Sequence, residues 1–561
     1  MENLRASREP YPSESKPLWG WPLVAIAGSA SAVILPCFFL GIPSGHDFEF
    51  HLHSWMEVQG QWRQGIVYPH WAALAHYGYG EARFLFYPPA SWLLGACLGT
   101  VLPWAAVPGA YVWLALTFSG CSMFLLARPW VNRQDAVFAA ALFVANPYYL
   151  VEVYWRSAFA ELLAGAWLPL LLLCVLQLAD QDRRAWVRLA LVIAGAALTN
   201  APASLMVNYS LAALALLLAF RQRSSKVLRA AALATGFGAA LAAFYILPAR
   251  YEQPWINIAQ VLSPGVRPHD NFLFTRTADP DHNRFNLFIS LVALEELIVL
   301  ALAALSWRSG RTRQPQLWWT LLIWAGTSTW LMVSLSAIFW EYLPWLRFVQ
   351  LPWRWLLCLN VVLALLATLA SRLWVWRVAA GVGLLGALLL AGHYVQPPWW
   401  DHASDVAKLL EQHQSGAGYE GTDEYAPVDA DPYNINLDAP RLAFSGSGAV
   451  RFEVEQWDPE NKRFTAEVSE PGQLVVRLFA YPAWKVMVNG RPVTTNTLDD
   501  TGQMLIPVTA GVNRVQILFV RTWDRTLGET TSLIAVAGLL LWSRRKRRLP
   551  EGWRPPEPRN Q

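Results

Sequence analysis

The chain has 561 residues, of which 55% are hydrophobic and 15% charged, with 31 Trp and a formal net charge of +4. This composition is too apolar for an ordinary soluble protein, and the apolar residues occur in long runs, so a polytopic membrane protein is predicted. Arg and Lys occur mostly in short clusters between those runs, a pattern that excludes a nucleic-acid footprint. The five Cys have no paired spacing, which excludes a disulfide framework.

Runs that can cross a hydrocarbon core of about 30 Å predict about twelve spans. They lie near residues 18–40, 109–127, 135–150, 158–179, 186–200, 203–220, 228–248, 286–306, 316–339, 353–371, 376–394 and 528–543. A further run, 88–107, is predicted to be a re-entrant or interfacial helix, because only then do all the basic clusters fall on the cytoplasmic side. Those clusters are Arg128/Arg133, Arg183/Arg184, Arg221/Arg223/Lys226, Arg308/Arg311/Arg313, Arg372/Arg377 and 544–548.

This parity predicts a multi-pass protein of the bacterial inner (plasma) membrane with both termini in the cytoplasm. Four stretches then face outward: 41–87, 249–285, 340–352 and 395–527. The predicted domains are a membrane domain 1–394 with its first outward loop 41–87, a linker 395–440 with a short helix and irregular segments, an extracytoplasmic β-sandwich 441–527, a final span 528–543 and a basic cytoplasmic tail 544–561.

The sandwich prediction rests on alternating apolar and polar residues in RFEVEQW, RFTAEV, QLVVRLF and RVQILFV. WKVMVNGRPV predicts a hairpin, because Asn489-Gly490 suits the positive φ angles of a type I′ turn.

The first outward loop begins with GHDFEFHLHSW, which places His46, Asp47, Glu49, His51 and His53 directly after the first span. Carboxylates and imidazoles are costly near a bilayer, so the cluster is a functional-site hypothesis. A carboxylate at the membrane surface can act as general base for a hydroxyl or amine, or can bind a divalent metal. The alternatives are a polar loop that contains acids and a zinc site, although the His spacing matches no zinc motif.

The next stretch of the chain, YGYGEARFLFYPPASW, places Tyr87 and other aromatic residues near the interface. An aromatic belt explains these residues but not Glu81 or Arg83, which the same stretch contains.

Five charged residues are predicted to lie on the same outward face as that cluster: Arg156, Glu161, Arg250, Glu252 and Arg354. An Arg at membrane depth needs an anion, either a carboxylate or a lipid phosphate. Arg156 is predicted to pair with Glu161. Arg354 has no carboxylate closer in sequence than Glu341, so a phosphate ligand is predicted for it.

The arrangement of an acidic pair in the first outward loop, a Pro-Pro element, many spans and an external β-rich domain resembles the lipid-dependent glycosyltransferases of the GT-C class. That class includes protein O-mannosyltransferases, oligosaccharyltransferases and the aminoarabinose transferase of lipid A. The chain is most similar to bacterial membrane proteins labelled pyruvoyl-tetrahydropterin-synthase-related. The similar elements are GHDFEFHL, YGYG with FLFYPP, RSAFAE, LPWRWL, GTDEY and YPAWKVMVNG.

This resemblance implies transfer of a sugar from a polyprenyl-phosphate donor to an extracytoplasmic carbohydrate, lipid or protein acceptor. It implies that Asp47 is the general base. Glu49 is the second predicted catalytic residue and would orient the acceptor or a metal ion. Cationic side chains would hold the lipid phosphate, with Arg354 the first candidate. The predicted substrate-binding residues are His46, His51, Tyr87, Arg156, Glu161, Arg250, Glu252 and Arg354.

Much of the class carries Asp-Glu or Asp-x-Asp where this chain has Asp47-Phe48-Glu49, so no metal ligand is assigned and a divalent metal ion stays an open alternative. Two other functions are also open. A transporter or flippase of a lipid-linked substrate predicts broken helices in symmetric positions. A non-catalytic envelope assembly protein would not need the acidic pair.

Overall fold

The computed structural model describes residues 19–182, 184–370 and 373–545. Parts of four predictions lie outside the described residues: the first residue of the first span, the last residue of the predicted span 353–371, the basic positions Arg183 and Arg372, and the tail from residue 546 onward.

The protein is mostly helical up to residue 415. The α-helices are α1 (Gly20–Ile34), α2 (Cys37–Leu40), α3 (Phe48–Arg63), α4 (Ala75–Gly78), α5 (Arg83–Phe86), α6 (Pro89–Val101), α7 (Val107–Ala127), α8 (Arg133–Val144), α9 (Pro147–Val151), α10 (Phe159–Ala164), α11 (Trp167–Ala179), α12 (Ala185–Thr199), α13 (Ala201–Gln222), α14 (Lys226–Leu241), α15 (Ala243–Tyr251), α16 (Pro280–Ser306), α17 (Gly310–Arg313), α18 (Pro315–Met332), α19 (Ala337–Tyr342), α20 (Leu356–Ala370), α21 (Trp374–Tyr394), α22 (Ala403–Ser415) and α23 (Trp523–Arg545).

Several helices begin where an Asn or Asp side chain caps the first turn just before a Pro. Asn146 accepts a hydrogen bond from the Tyr149 amide at 2.8 Å, and Asn200 accepts one from the Ala203 amide at 2.9 Å. Asp279 caps α16 in the same way. These caps satisfy amides that have no partner inside the helix, and Pro in the first turn needs none.

Eight helical stretches of the described chain are long and apolar enough to cross a membrane, or up to ten if each of two bent helix pairs is one span. Ten of the twelve predicted spans correspond to these stretches. The other two correspond to α12, which has only 15 residues, and to α23, which is not among the candidates. The membrane class is therefore confirmed, whereas the count of twelve stays a prediction.

The predicted spans 228–248 and 316–339 are not straight. Each is a pair of helices, with α14 and α15 bent by 80° and α18 and the following helical segment to Tyr342 bent by 91°. The run 88–107 contains α6, whose 13 residues reach only about 20 Å at 1.5 Å per residue. That length agrees with the prediction that this run does not cross.

The C-terminal part of the chain forms a β-sheet domain. A two-residue pair joins β1 (Ile42–Pro43) to β2 (Trp400–Asp401), and the domain's own strands are β3 (Leu442–Ser445), β4 (Val450–Trp457), β5 (Asn461–Val468), β6 (Gly472–Phe479), β7 (Trp484–Val488), β8 (Arg491–Val493), β9 (Asn496–Thr497), β10 (Gln503–Val508) and β11 (Gly511–Phe519). They form one antiparallel sheet in the order β3-β6-β10-β9 and another in the order β4-β5-β11-β7-β8.

Both sheets contribute buried side chains to one hydrophobic core. Leu474 and Ile506 come from the first sheet, and Phe464 and Ile517 from the second, each at most 1% exposed. The four predicted strand segments and the hairpin are confirmed as strands, with positive φ at Asn489 and Gly490 in the turn. The classification of the two sheets as a sandwich stays a prediction.

Candidate active site around Asp47

The start of the first predicted outward loop is held against a π-helical turn that ends at Arg156. The Asp47 amide donates to the Arg156 carbonyl at 2.9 Å, and the Gly45 amide donates to Ser157 Oγ at 2.9 Å. Ser157 Oγ in turn donates to the Pro43 carbonyl at 2.9 Å. These bonds place Asp47 directly beside Arg156, although more than 100 residues separate them in the chain.

Arg156 lies at the centre of a buried network of charges. Its Nη1 donates to Glu152 Oε1 at 2.7 Å and to Glu161 Oε2 at 2.8 Å. Arg354 Nε donates to the same Glu161 oxygen at 2.9 Å, and Tyr148 Oη donates to the other at 2.7 Å. The predicted pair of Arg156 with Glu161 is therefore present, and Glu161 is also the carboxylate partner of Arg354 that sequence distance concealed.

We call Asp47, Glu152, Arg156, Glu161 and Arg354 the charged cluster. Asp47 is its exposed member, with a side chain 40% exposed, whereas the Arg156 side chain is 5% exposed. Asp47 Oδ2 lies 3.7 Å from Arg156 Nη2, and no residue in the described ranges donates a hydrogen bond to the Asp47 carboxylate. This carboxylate is therefore positioned by a cation but keeps its lone pairs available.

Tyr87 and His51 lie next to the charged cluster. The Tyr87 ring is half-buried, 4.8 Å from the Phe50 ring. Burial raises the pKa of Tyr87 well above its usual value, and the nearby charge of Asp47 acts in the same direction. Burial lowers the pKa of His51 to about 4, so its imidazole is neutral at physiological pH. Two predicted residues therefore border the cluster without adding charge to it.

Glu49 and His46 diverge from Asp47. Glu49 is exposed on the first turn of α3, and partial burial followed by the charges of Asp401 and Glu420 raises its pKa. The His46 ring contacts Trp399, with ring centroids 5.1 Å apart. The two carboxylates therefore face different neighbours, as expected for residues two apart where a helix begins.

Glu252 and Arg250 do not join the charged cluster. Glu252 is fully buried and accepts from Arg525 Nε at 2.8 Å, from Arg525 Nη2 at 2.9 Å and from Tyr481 Oη at 2.6 Å. These contacts connect the end of α15 to the β-sheet domain and to α23. Arg250 is exposed, 3.3 Å from the Gln253 amide oxygen.

A second buried network, which sequence reasoning recognised only in part, surrounds Arg83. Arg83 donates to Glu81 Oε1 at 2.5 Å, to Ser54 Oγ at 2.9 Å and to Thr422 Oγ1 at 3.0 Å. His76 Nε2 lies 3.0 Å from Glu81 Oε2. The signals in the sequence were the YGYGEARF and GTDEY segments, which this network brings together.

The same network extends to Glu57 on α3. Tyr419 Oη donates to Glu57 Oε2 at 2.6 Å, and the His53 ring stacks on the Tyr419 ring at 4.2 Å. His53 Nδ1 and His413 Nε2 are hydrogen-bonded at 2.8 Å. Burial raises the pKa of Glu57 to about 7 and lowers the pKa of His413 to about 4. No local sequence pattern identified Glu57 or His413 as members of this network, because their partners lie far away in the chain.

The proposed zinc ligands do not converge. His46 contacts Trp399, His51 packs against Phe159, and His53 pairs with His413. Across the described part of the chain, no group of three or more His, Cys, Asp or Glu side chains is placed to hold a metal ion.

Eleven chains of solved structures match this chain, among them the following three. ArnT from Cupriavidus metallidurans, bound to undecaprenyl phosphate, has 13% identity and a TM-score of 0.44 over 71% of this chain and 76% of that one. The apo oligosaccharyltransferase of Archaeoglobus fulgidus has 14% identity and a TM-score of 0.38 over 72% and 56%. AglB from the same organism, with an inhibitory peptide and a dolichol-phosphate, has 12% identity and a TM-score of 0.39 over 72% and 57%.

These TM-scores are too low for an inference about function. No curated protein sequence matches the chain. A family profile described as "6-pyruvoyl-tetrahydropterin synthase related domain; membrane protein" matches residues 84–395, more than half of the chain. The family predicted from the motifs is thus confirmed, and the chain belongs to the 6-pyruvoyl-tetrahydropterin synthase related membrane proteins.

Proposed function

We propose that the protein is a membrane glycosyltransferase that moves a sugar from a polyprenyl-phosphate donor to an extracytoplasmic acceptor, with Asp47 as the general base. The observation that carries this proposal is the Asp47 carboxylate, half-exposed and 3.7 Å from the buried Arg156 guanidinium. It follows the first membrane helix directly, so a donor in hydrocarbon and an acceptor in water can both reach it.

The reaction balances with the groups that the cluster supplies. Asp47 takes the proton of the acceptor hydroxyl or amine, and the freed electron pair attacks the anomeric carbon of the donor sugar. The bond from that carbon to the phosphate oxygen breaks, and its electron pair leaves with the polyprenyl phosphate. No ATP is needed, because the phosphate-linked sugar arrives already activated.

The charges of the cluster support these roles. Arg354 is the candidate for the leaving phosphate. Its Nε and Nη1 are occupied by Glu161, Val349 and Gln350, whereas its Nη2 has no hydrogen-bond partner within the described residues. A guanidinium edge is suited to a phosphate oxygen.

The remaining predicted residues take supporting roles. Glu49, exposed on the first turn of α3, orients the acceptor, while His51 and Tyr87 shape the border of the site. Arg250 and Glu252 lie outside the charged cluster, so their predicted contact with substrate has no support in the contacts described above. The sandwich is proposed to cover the site from the extracytoplasmic side.

One observation, the presence of two bent helix pairs, is also compatible with a transporter. Their bends lie at Ala242 and Val333, and within the described residues neither is hydrogen-bonded to a member of the charged cluster. A substrate pathway would be expected to place its charged residues at such breaks. The assembly-protein alternative leaves the exposed Asp47 carboxylate without a purpose, so the transferase is preferred.

The test replaces Asp47 with Asn and measures transfer from labelled polyprenyl-phosphate sugars, per folded molecule, in reconstituted membranes. Loss of a general base costs about 10² to 10⁴ in rate. Glu49→Gln is measured alongside, and Asp438→Asn, which changes an exposed carboxylate just before the first strand of the β-sheet domain, is the control. Full activity of Asp47→Asn refutes the base assignment, and full activity of both site variants favours the transporter.

A further inference from the structure

A cavity of about 480 Å³ lies beside the site, on the side of Asp47 to which His46 points. Three separate segments form its walls: the loop before α3, the first turns of α16 and the segment that follows α21. Its lining includes His46, Asp279, Asp281, Phe285, Gln396 and Trp399. Only His46 among them was predicted from the sequence to contact a substrate.

Aromatic rings form one side of this cavity. The His46 ring meets the Phe285 ring edge-on at 5.5 Å and the Trp399 ring at 5.1 Å. Trp399 is 41% exposed and lines the cavity, so part of its ring is accessible to a ligand there. Because these rings are tilted steeply to one another, the apolar platform that the cavity offers is the ring of Trp399 itself.

Hydrogen-bonding groups line the rest of the cavity. The Asp281 side chain is 91% exposed, 3.8 Å from Arg284 Nη1. Asp279 uses one carboxylate oxygen to cap α16, accepting from the Asp281 amide at 2.9 Å. Gln396, His282 and Arg284 are the other polar residues that line the cavity. Carboxylates only accept hydrogen bonds, so they suit a ligand that carries hydroxyl or amine donors.

Packed contacts connect the cavity to the charged cluster. The Phe285 ring lies 5.9 Å from the Trp353 ring, and the Arg156 guanidinium lies over Trp353 at 4.8 Å. The backbone makes a second connection, because the Ser44 amide donates to the Trp399 carbonyl at 3.2 Å. A ligand in the cavity would therefore be held by the same loop that positions Asp47.

We propose that this cavity is a carbohydrate-binding site that holds a sugar ring of the acceptor next to Asp47. The role of the bound sugar as the acceptor rests on the proposed function, whereas the binding of a sugar in this cavity does not. A pyranose has an apolar C–H face and a rim of hydroxyl donors, which match an aromatic platform edged by carboxylates and an amide. The donor is the poorer match, because its lipid must remain in the hydrocarbon region while this cavity opens among loops.

The test uses the full-length protein in lipid nanodiscs and two probes, methyl β-glucoside and methyl N-acetyl-β-glucosaminide, at about 10 mM, a concentration suited to millimolar dissociation constants. Saturation-transfer NMR reports binding. We expect signal for at least one glycoside, with affinity about tenfold weaker in Trp399→Ala, the effect of losing one stacking platform. Asp281→Asn is the second variant and should also weaken binding.

Trp376→Ala is the matched control, since Trp376 is 67% exposed on α21 and does not line the cavity. Asp47→Asn should bind the glycosides as the wild type does while losing transfer. Absence of signal for both probes, or equal binding by the wild type and both cavity variants, overturns the sugar site. Sugar binding at the cavity without any transfer activity in the wild type would refute the glycosyltransferase instead and leave the sugar site standing.

Discussion

Gly45→Ala is expected to impair the site without touching any charged group. Gly45 packs against the backbone of the π-helical turn, and an added Cβ would lie 2.4 Å from the Trp155 carbonyl oxygen and 2.5 Å from the Arg156 carbonyl carbon. Real Cβ contacts are essentially never below 3.0 Å, so the loop must withdraw by at least about 0.6 Å. The hydrogen bonds that hold Asp47 beside Arg156 lie at this contact.

The effects of Gly45→Ala on stability and on the transfer rate can be measured separately. Overpacking of this kind costs about 1–3 kcal/mol of stability. A displacement approaching 1 Å at a catalytic group can cost about 10²-fold in rate. Thermal unfolding in nanodiscs measures the first quantity, and transfer per folded molecule measures the second.

Gly60→Ala is the matched control for Gly45→Ala. Gly60 lies inside α3, with nothing within 4 Å of an added Cβ, so the substitution should stabilise the helix by about 0.5–1 kcal/mol and leave the rate unchanged. Wild-type transfer by Gly45→Ala would refute the inference that this contact positions Asp47. An equal loss in Gly60→Ala would show that the assay reports general destabilisation.

Three further outcomes are expected. Burial raises the pKa of Glu57 to about 7, so the folded protein keeps a proton that the unfolded chain releases near pH 4.5. The contribution of Glu57 to stability is therefore lost as pH rises from about 4.5 to 7. Glu57→Gln should flatten that part of the pH profile of thermal unfolding. Glu252→Gln leaves Arg525 buried without its carboxylate partner and should lower the free energy of unfolding by about 3–5 kcal/mol. The expected result is faster proteolysis of the β-sheet domain, with transfer per folded molecule unchanged. A reporter active only outside the cytoplasm should be silent when fused near residue 132 and active near residue 255.

A different result would contradict each of these three predictions. An unchanged pH profile in Glu57→Gln would place the titration elsewhere. Arg250→Gln is the surface control for Glu252 and should change stability by no more than about 0.5 kcal/mol. A periplasmic signal at residue 132 would mean that the run 88–107 crosses the membrane and would reverse the predicted sides of the later loops.

Local patterns of the sequence were enough to identify the membrane class, the approximate positions of the helices, the strand segments and the hairpin at Asn489-Gly490. Hydropathy, alternation and turn chemistry act over a few residues, so a single chain displays them directly. The same locality explains why the pair of Arg156 with Glu161 was predictable, since five residues separate them. Helix bends were not predictable, because the break near Ala242 lies within an uninterrupted apolar run.

Tertiary structure decided which charges meet. Arg354 reaches Glu161 across 193 positions of the chain, and Arg525 reaches Glu252 across 273. Arg354, Glu161 and Glu252 were recognised in the sequence as charges at membrane depth or beside it, whereas Arg525 was not. Hydropathy does not determine which helices pack together, so neither pair could be predicted. The cavity beside His46 has the same origin, because its walls come from three segments that only the packing of α16 and α21 around the first loop brings into contact. Burial of unpaired charge is costly, so once the helices pack, each buried guanidinium takes the carboxylate that the fold brings to it.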